Sequence, residues 1–260
     1  MTTRARVFST SVGTKLLVGT TGLLLFLYLI IHIAGNVMVF AGRDTFNTYS
    51  HMLLSNPLVP AIEVGLVLVF LLHIYKTVTM YLANRSARPV QYERKVRAGG
   101  PSRKSAASGT MILSGLWLLA FVLIHVNQFK YGTEYAAPGT GIRDLYRLEM
   151  ENFSSPLFVV IHVRTFKYGT EYETTSGIRD LYRLEMENFS SPLTVAFYVL
   201  SMLIVGSHLW HGVSSAFQSL GADHPTWTPR LLAAGKLFAV LVAGGFIFIA
   251  LWAHVTGARS

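Results

Sequence analysis

Residues 15–40 read KLLVGTTGLLLFLYLIIHIAGNVMVF, an apolar run whose only charge is at its first position and whose only histidine is His32. A helix of about 20 mostly apolar residues is long enough to cross a bilayer. Four more segments of this kind follow, at residues 58–83, 105–128, 193–220 and 231–254. The sequence therefore predicts an all-α membrane protein in which residues 1–260 form a single domain, a five-helix transmembrane bundle.

The composition agrees with this class. Apolar residues make up 52% of the 260 positions and charged residues only 13%, which is too apolar for an ordinary soluble domain. The first segment is too long for a signal peptide and lacks a suitable cleavage site, so we expect it to be retained as a helix. The chain has no cysteine, which excludes disulfides and thiolate metal ligands from this chain.

The basic residues predict the orientation. The link between the second and third segments and the N-terminal arm carry a strong excess of lysine and arginine, which marks cytoplasmic segments. We therefore expect the N-terminus inside and the C-terminus outside. This clustering accounts for much of the net charge of +9 and favours anionic lipid headgroups or an acidic partner over nucleic acid. The basic residues are Arg4, Arg6, Lys15, Arg85, Arg88, Arg94, Lys95, Arg97, Arg103 and Lys104.

Residues 121–157 are nearly repeated by residues 158–193. FVLIHVNQFKYGTEY returns as FVVIHVRTFKYGTEY, and GIRDLYRLEMENFSSPL returns letter for letter. Such identity indicates a recent tandem duplication or an artefact of sequence assembly. The second apolar stretch is too short to cross a bilayer before Arg164. We therefore expect an enlarged outer loop between the third and fourth helices, with His162 as a displaced copy of His125.

Each of the first four apolar segments contains one prominent histidine. An imidazole in lipid is costly unless something binds it. At a rise of about 1.5 Å per residue, His32 and His125 fall in the outer half of the membrane. The same count places His73 and His208 together on the cytoplasmic side. Two histidine pairs at two depths suit two haems, each with an imidazole on either face of its iron.

Other histidine assignments stay open on spacing alone. A lone histidine in an apolar helix is often a hydrogen-bonded core residue rather than a ligand. His211 lies one turn after His208, and spacing does not choose between them. His51, His224 and His254 fall near the interfaces, where solvated histidines are common, and we do not expect them to bind metal.

Four strings carry a resemblance in this order and spacing: LIIHIAGN, LLHIYKTVTMYLA, FVLIHVNQFKYG and SHLWHGVSSAFQSLG. Together they resemble the haem-bearing helices of the dihaem cytochrome b membrane-anchor subunit of succinate dehydrogenases and fumarate reductases. The resemblance implies that His73 and His208 hold the haem nearer the cytoplasm and that His32 and His125 hold the outer one. The duplicated block departs from the family pattern and leaves open whether His125 or His162 lies in the third helix.

The resemblance also implies a function. Such an anchor does not oxidise succinate itself; it docks a flavoprotein and an iron–sulfur subunit and passes electrons through two b haems to or from menaquinone or ubiquinone. It would belong to the respiratory chain and tricarboxylic acid cycle, in the bacterial cytoplasmic membrane. A further small membrane subunit or an oligomer would be compatible with this role, and nucleic acid is not an expected partner.

Candidate quinone contacts lie at two places. Hydroxyl and amino groups cluster at the start of the first helix, where they can bond a quinone carbonyl or simply cap the helix. An acidic side chain at the start of the second helix can exchange protons with quinone or lie solvated at the interface. These residues are Ser9, Ser11, Thr14 and Lys15 at the first place and Glu63 at the second.

Two other functions compete with this one. The same anchor could have lost its haems or hold a different metal centre. A proton-coupled transporter with a histidine relay is less favoured, because transport predicts paired half-repeats and interrupted helices, and we identify neither in the apolar segments.

Overall fold

The computed structural model describes residues 10–87, 106–130, 180–221 and 224–257. These residues are 92% helical and contain no strand, which confirms the all-α prediction for the part of the chain described. Seven helices account for most of them: α1 Ser11–Asn36, α2 Arg43–Leu54, α3 Val59–Ser86, α4 Met111–Lys130, α5 Leu181–Ser190, α6 Pro192–Ser219 and α7 Trp227–Gly257.

Five of these helices, α1, α3, α4, α6 and α7, are long and apolar enough to cross a membrane. Their number agrees with the sequence prediction, and their ends differ from it by a few residues. α1 begins four residues earlier because the Thr10 hydroxyl accepts a hydrogen bond from the Gly13 amide at 3.0 Å and caps it. α6 begins at Pro192, a residue well suited to the first turn of a helix.

The surface of α3 shows why a bilayer suits this chain. None of its side chains is buried within the protein. Large apolar side chains such as Leu68 and Leu71 are 62% and 55% exposed. An apolar helix with so much exposed surface requires an apolar medium or a partner. This exposure fits a multi-pass membrane protein whose helices satisfy their own backbone hydrogen bonds.

The chain divides into two compact units. The first unit comprises Met1–Gly35, Pro60–Leu119 and Tyr198–Phe248. Within it, small residues let α6 and α7 approach closely: a Cβ added at Gly206 would lie only 3.1 Å from the Cβ of Ala243. Such small-residue contacts are typical of helix packing in membranes.

The second unit comprises Asn36–Val59, Ala120–Phe197 and Ile249–Ser260. In this unit α2 packs against α5 through a polar cluster. Asp180 accepts a hydrogen bond from Arg43 and another from Asn47 Nδ2 at 2.8 Å. Its Oδ1 also caps α5 by accepting from the Arg183 amide at 3.1 Å. Burial alone would raise the pKa of Asp180, but these hydrogen bonds from Asn47, Arg43 and the Arg183 amide hold it below its usual value.

The duplicated block contributes one copy of each of its halves to the described residues. The first copy of the histidine segment lies in α4, which places His125 in that helix. The second copy of the cap segment forms α5 and the start of α6. The other copies, including His162, and the predicted loop size lie outside the described residues. The predicted orientation and the single domain stay predictions.

We expect Asp180→Ala to destabilise the second unit by about 2–4 kcal/mol, because it removes a helix cap and leaves the buried Asn47 amide unpaired. Thermal unfolding in detergent measures the change. Arg183→Ala on the same helix is the matched control: it keeps the amide that Asp180 caps and removes the exposed pair with Glu187, which contributes less than about 1 kcal/mol. Equal effects of the two variants would contradict this account of the cap.

Glu185 of α5 is only 4% exposed. Burial raises its pKa to about 8 from an ordinary value near 4.5. The folded unit therefore holds this carboxyl neutral at pH 7, whereas the unfolded chain ionises it. The contribution of Glu185 to the free energy of unfolding is therefore greatest below pH 4.5 and falls by about 1.4 kcal/mol per pH unit until pH 8.

Glu185→Gln should remove the loss of stability that Glu185 causes as the pH rises. We expect the variant to unfold at a higher temperature than the parent at pH 7 and to show a flatter dependence on pH between 5 and 8, the window set by the raised pKa. Unfolding scans at several pH values measure both effects. A variant that kept the parent's slope would show that Glu185 is not the group responsible.

Candidate metal centre

Two histidines of the first unit each meet a hydroxyl from a neighbouring helix. His73 of α3 places its Nδ1 atom 3.0 Å from Thr21 Oγ1 of α1. His208 of α6 places its Nδ1 atom 3.0 Å from Ser114 Oγ of α4. The predicted inner histidines are thus held in the same way, by residues that the sequence analysis did not identify.

The hydroxyls determine where each imidazole carries its proton. A hydroxyl has one hydrogen to donate. Thr21 Oγ1 lies 2.7 Å from the Leu17 carbonyl, and Ser114 Oγ lies 3.0 Å from the Met111 carbonyl, so each hydroxyl donates within its own helix. Each then accepts from the imidazole, which must carry its hydrogen on Nδ1. In such a neutral imidazole Nε2 carries no hydrogen, and its lone pair can bind a metal.

A glycine follows each hydroxyl and lies against the ring. A Cβ added at Gly22 would lie 3.3 Å from His73 Cε1, tighter than nine in ten real Cβ contacts. A Cβ added at Gly115 would lie 3.8 Å from His208 Cε1, an ordinary contact. Glycine at residue 22 therefore lets the His73 ring lie this close to α1 without a shift of the ring.

The donor set fits a haem held between α3 and α6. His73 and His208 are close enough to interact electrostatically. Each ring places Nδ1 beside a hydroxyl, and the His73 ring also interacts with the Val18 carbonyl. One turn after His73, the buried Thr77 hydroxyl has no partner in the described part of the chain. Two neutral imidazoles and an unsatisfied hydroxyl suit an iron porphyrin with its polar carboxylate edge.

A non-haem metal site fits less well. Such sites generally use three or four side-chain ligands. Across residues 10–87, 106–130, 180–221 and 224–257, no group of three His, Asp or Glu side chains converges to hold an ion. A haem iron needs only two protein ligands, one for each face.

The predicted outer histidines share a different environment. His32 stacks on Tyr28, one turn earlier in α1, with ring centroids 5.4 Å apart and planes 14° apart. His125 stacks on Phe121, one turn earlier in α4, at 5.6 Å and 16°. His32 belongs to the first unit and His125 to the second. Their pairing as ligands of an outer haem therefore stays a prediction.

Three other histidines of the described segments have structural surroundings. His224 Nδ1 accepts from the Thr226 amide at 3.2 Å at the start of α7. His254 Nδ1 lies 2.8 Å from the Phe189 carbonyl. His51 is exposed on α2. That none of these three binds metal stays a prediction.

The candidate quinone residues are only partly brought together. Ser11, Thr14 and Lys15 occupy the first turns of α1, where Thr10 provides the cap, and Ser9 lies outside the described residues. The other candidate quinone residue, Glu63, interacts with a residue next to an outer histidine.

Glu63 of α3 interacts electrostatically with Tyr28, the residue that stacks on His32. The structure therefore places one candidate carboxyl beside the surroundings of an outer histidine, which spacing along the sequence did not reveal. Comparison with family models, with curated proteins and with solved structures gave no match to this chain.

Proposed function

We propose that this chain is the membrane-anchor subunit of a succinate:quinone oxidoreductase, which passes electrons through b haems to or from a membrane quinone. The observation that carries the proposal is the inner histidine pair: two imidazoles from separate apolar helices, each with its Nδ1 atom 3.0 Å from a hydroxyl of a neighbouring helix. The order and spacing of the four histidine strings support the choice of family.

In this role His73 and His208 hold the iron of the inner haem, which when bound supplies one-electron transfer within the membrane. The protein supplies the orientation of the two rings. Because each Nδ1–H donates to a hydroxyl, each ring is a stronger donor through Nε2 than a ring without that bond. His32 and His125 would hold a second haem nearer the outer surface.

Quinone chemistry also requires protons. Glu63 is the carboxyl best situated to exchange them, since it lies beside Tyr28 and that ring stacks on His32. A second quinone contact at Ser11, Thr14 and Lys15 would serve the opposite surface. The flavoprotein and iron–sulfur subunits would dock on the cytoplasmic side, which is the side proposed for the basic link.

Two alternatives give different outcomes in the same measurement. An anchor without haem would use the same hydroxyl contacts only to satisfy buried imidazoles. A transporter would use the histidines as a proton relay. The long helices α1, α3, α4, α6 and α7 each run without a break, which favours the anchor, because transport sites are commonly built on interrupted helices.

The test is a reduced-minus-oxidised absorption spectrum with haem quantitation on the purified complex. We expect two b haems per copy of this chain. His73→Ala and His208→Ala should each lower that number to one, because each removes an inner ligand, whereas His211→Ala and His51→Ala should leave it at two. Circular dichroism on each variant identifies loss of folding.

A parent complex without b haem would overturn the haem-bearing role. Full haem retention in both His73→Ala and His208→Ala would overturn the ligand assignment. Loss of haem in His211→Ala with retention in His208→Ala would exchange the roles of these two neighbours.

A further inference from the structure

Helices α1 and α4 carry the same pattern. α1 has TGLLLFLYLIIH at residues 21–32, and α4 has SGLWLLAFVLIH at residues 114–125. Both segments begin with a hydroxyl residue and glycine, have an aromatic residue seven positions after the hydroxyl, and end in histidine four positions later. The two helices therefore place matched side chains at matched heights along their own axes.

Helices α3 and α6 match in the same way. HIYKTV at residues 73–78 aligns with HLWHGV at residues 208–213. Histidine aligns with histidine, Tyr75 with Trp210 and valine with valine. The residue aligned with His211 is a lysine, so the alignment favours His208 as the counterpart of His73.

The side-chain contacts of these residues repeat together with the sequence pattern. Each hydroxyl of the pattern lies 3.0 Å from the Nδ1 atom of a histidine on the next long helix. Each histidine that ends the pattern stacks on its own aromatic residue at 14° or 16°. The sequence analysis did not identify this correspondence between the two helix pairs. The repeated helices are nevertheless continuous.

From these matches we infer that the bundle contains two copies of one helix pair, α1 with α3 and α4 with α6, and that Thr21 and Ser114 are equivalent positioning residues. Each hydroxyl keeps the hydrogen of its imidazole on Nδ1 and so sets how strongly Nε2 donates to the iron. The part of this inference that concerns iron rests on the proposed function.

The hydrogen bond on Nδ1 predicts the direction in which the reduction potential of the inner haem changes. An imidazole whose Nδ1–H is hydrogen-bonded is the more basic ligand and stabilises the more highly charged, oxidised iron. Thr21→Val and Ser114→Ala remove the acceptor, so they weaken both imidazole donors and favour the reduced iron. Because the two contacts have the same length and chemistry, the two variants should change the reduction equilibrium of the inner haem by similar amounts.

The test is a potentiometric titration of the b haems in the purified complex. We expect Thr21→Val and Ser114→Ala each to shift the inner haem towards the reduced form about tenfold, a rise of about 59 mV for one electron. Thr21→Ser and Ser114→Thr keep a hydroxyl and should restore the parent value. Haem loss in the two apolar variants with retention in the two hydroxyl variants also supports the inference.

Matched controls separate this effect from general changes in packing. Thr20→Val alters the exposed neighbour of Thr21, and Ser214→Ala removes a hydroxyl that bonds only within its own helix. Neither should move the potential. An unchanged potential in Thr21→Val or Ser114→Ala, with haem retained, would overturn the positioning role while leaving the proposed function intact.

A second measurement needs no haem. In the haem-free full chain labelled with ¹⁵N-histidine, nuclear magnetic resonance should show His73 and His208 protonated on Nδ1. Thr21→Val should abolish this preference at His73 alone, and Ser114→Ala at His208 alone. Protonation on Nε2 in the parent would overturn the inference even if the spectrum of the complex revealed two haems.

Discussion

The arrangement of the first unit depends on one constraint: an imidazole N–H inside an apolar helix bundle must find an acceptor. A hydroxyl from a neighbouring helix can serve as this acceptor. Thr21 and Ser114 meet this need, and both donate their own hydrogen back into their own helix. The result couples α1 to α3 and α4 to α6 and orients two rings.

The second unit contains a buried charge rather than buried imidazoles. There a charged side chain, Asp180, is buried at the start of an amphipathic helix and is stabilised by Arg43 and Asn47 from α2. One carboxylate serves as helix cap, ion-pair partner and amide acceptor, so the short helices α2 and α5 are joined by polar contacts. In contrast, Glu185 on the same helix is held neutral by burial.

Hydropathy was sufficient to predict the five long helices, because about 20 consecutive apolar residues have few alternatives to a membrane span. It missed α2 and α5, which are short and mixed in polarity, although Asp180 before an apolar pattern was a usable cap signal. The partners of His73 and His208 were also missed. They lie 52 and 94 residues away in sequence, and periodicity within one helix gives no information about contacts at that separation. Comparing α1 with α4 would have pointed to both hydroxyls.

The described parts of the duplicated block come from different copies of the repeat. α4 draws on the first histidine segment, whereas α5 draws on the second cap segment. An excision that fused Lys130 to Tyr168 would remove one copy of the repeated sequence and preserve every residue of both helices. Such a deletion variant would carry each of the two helix-forming segments once.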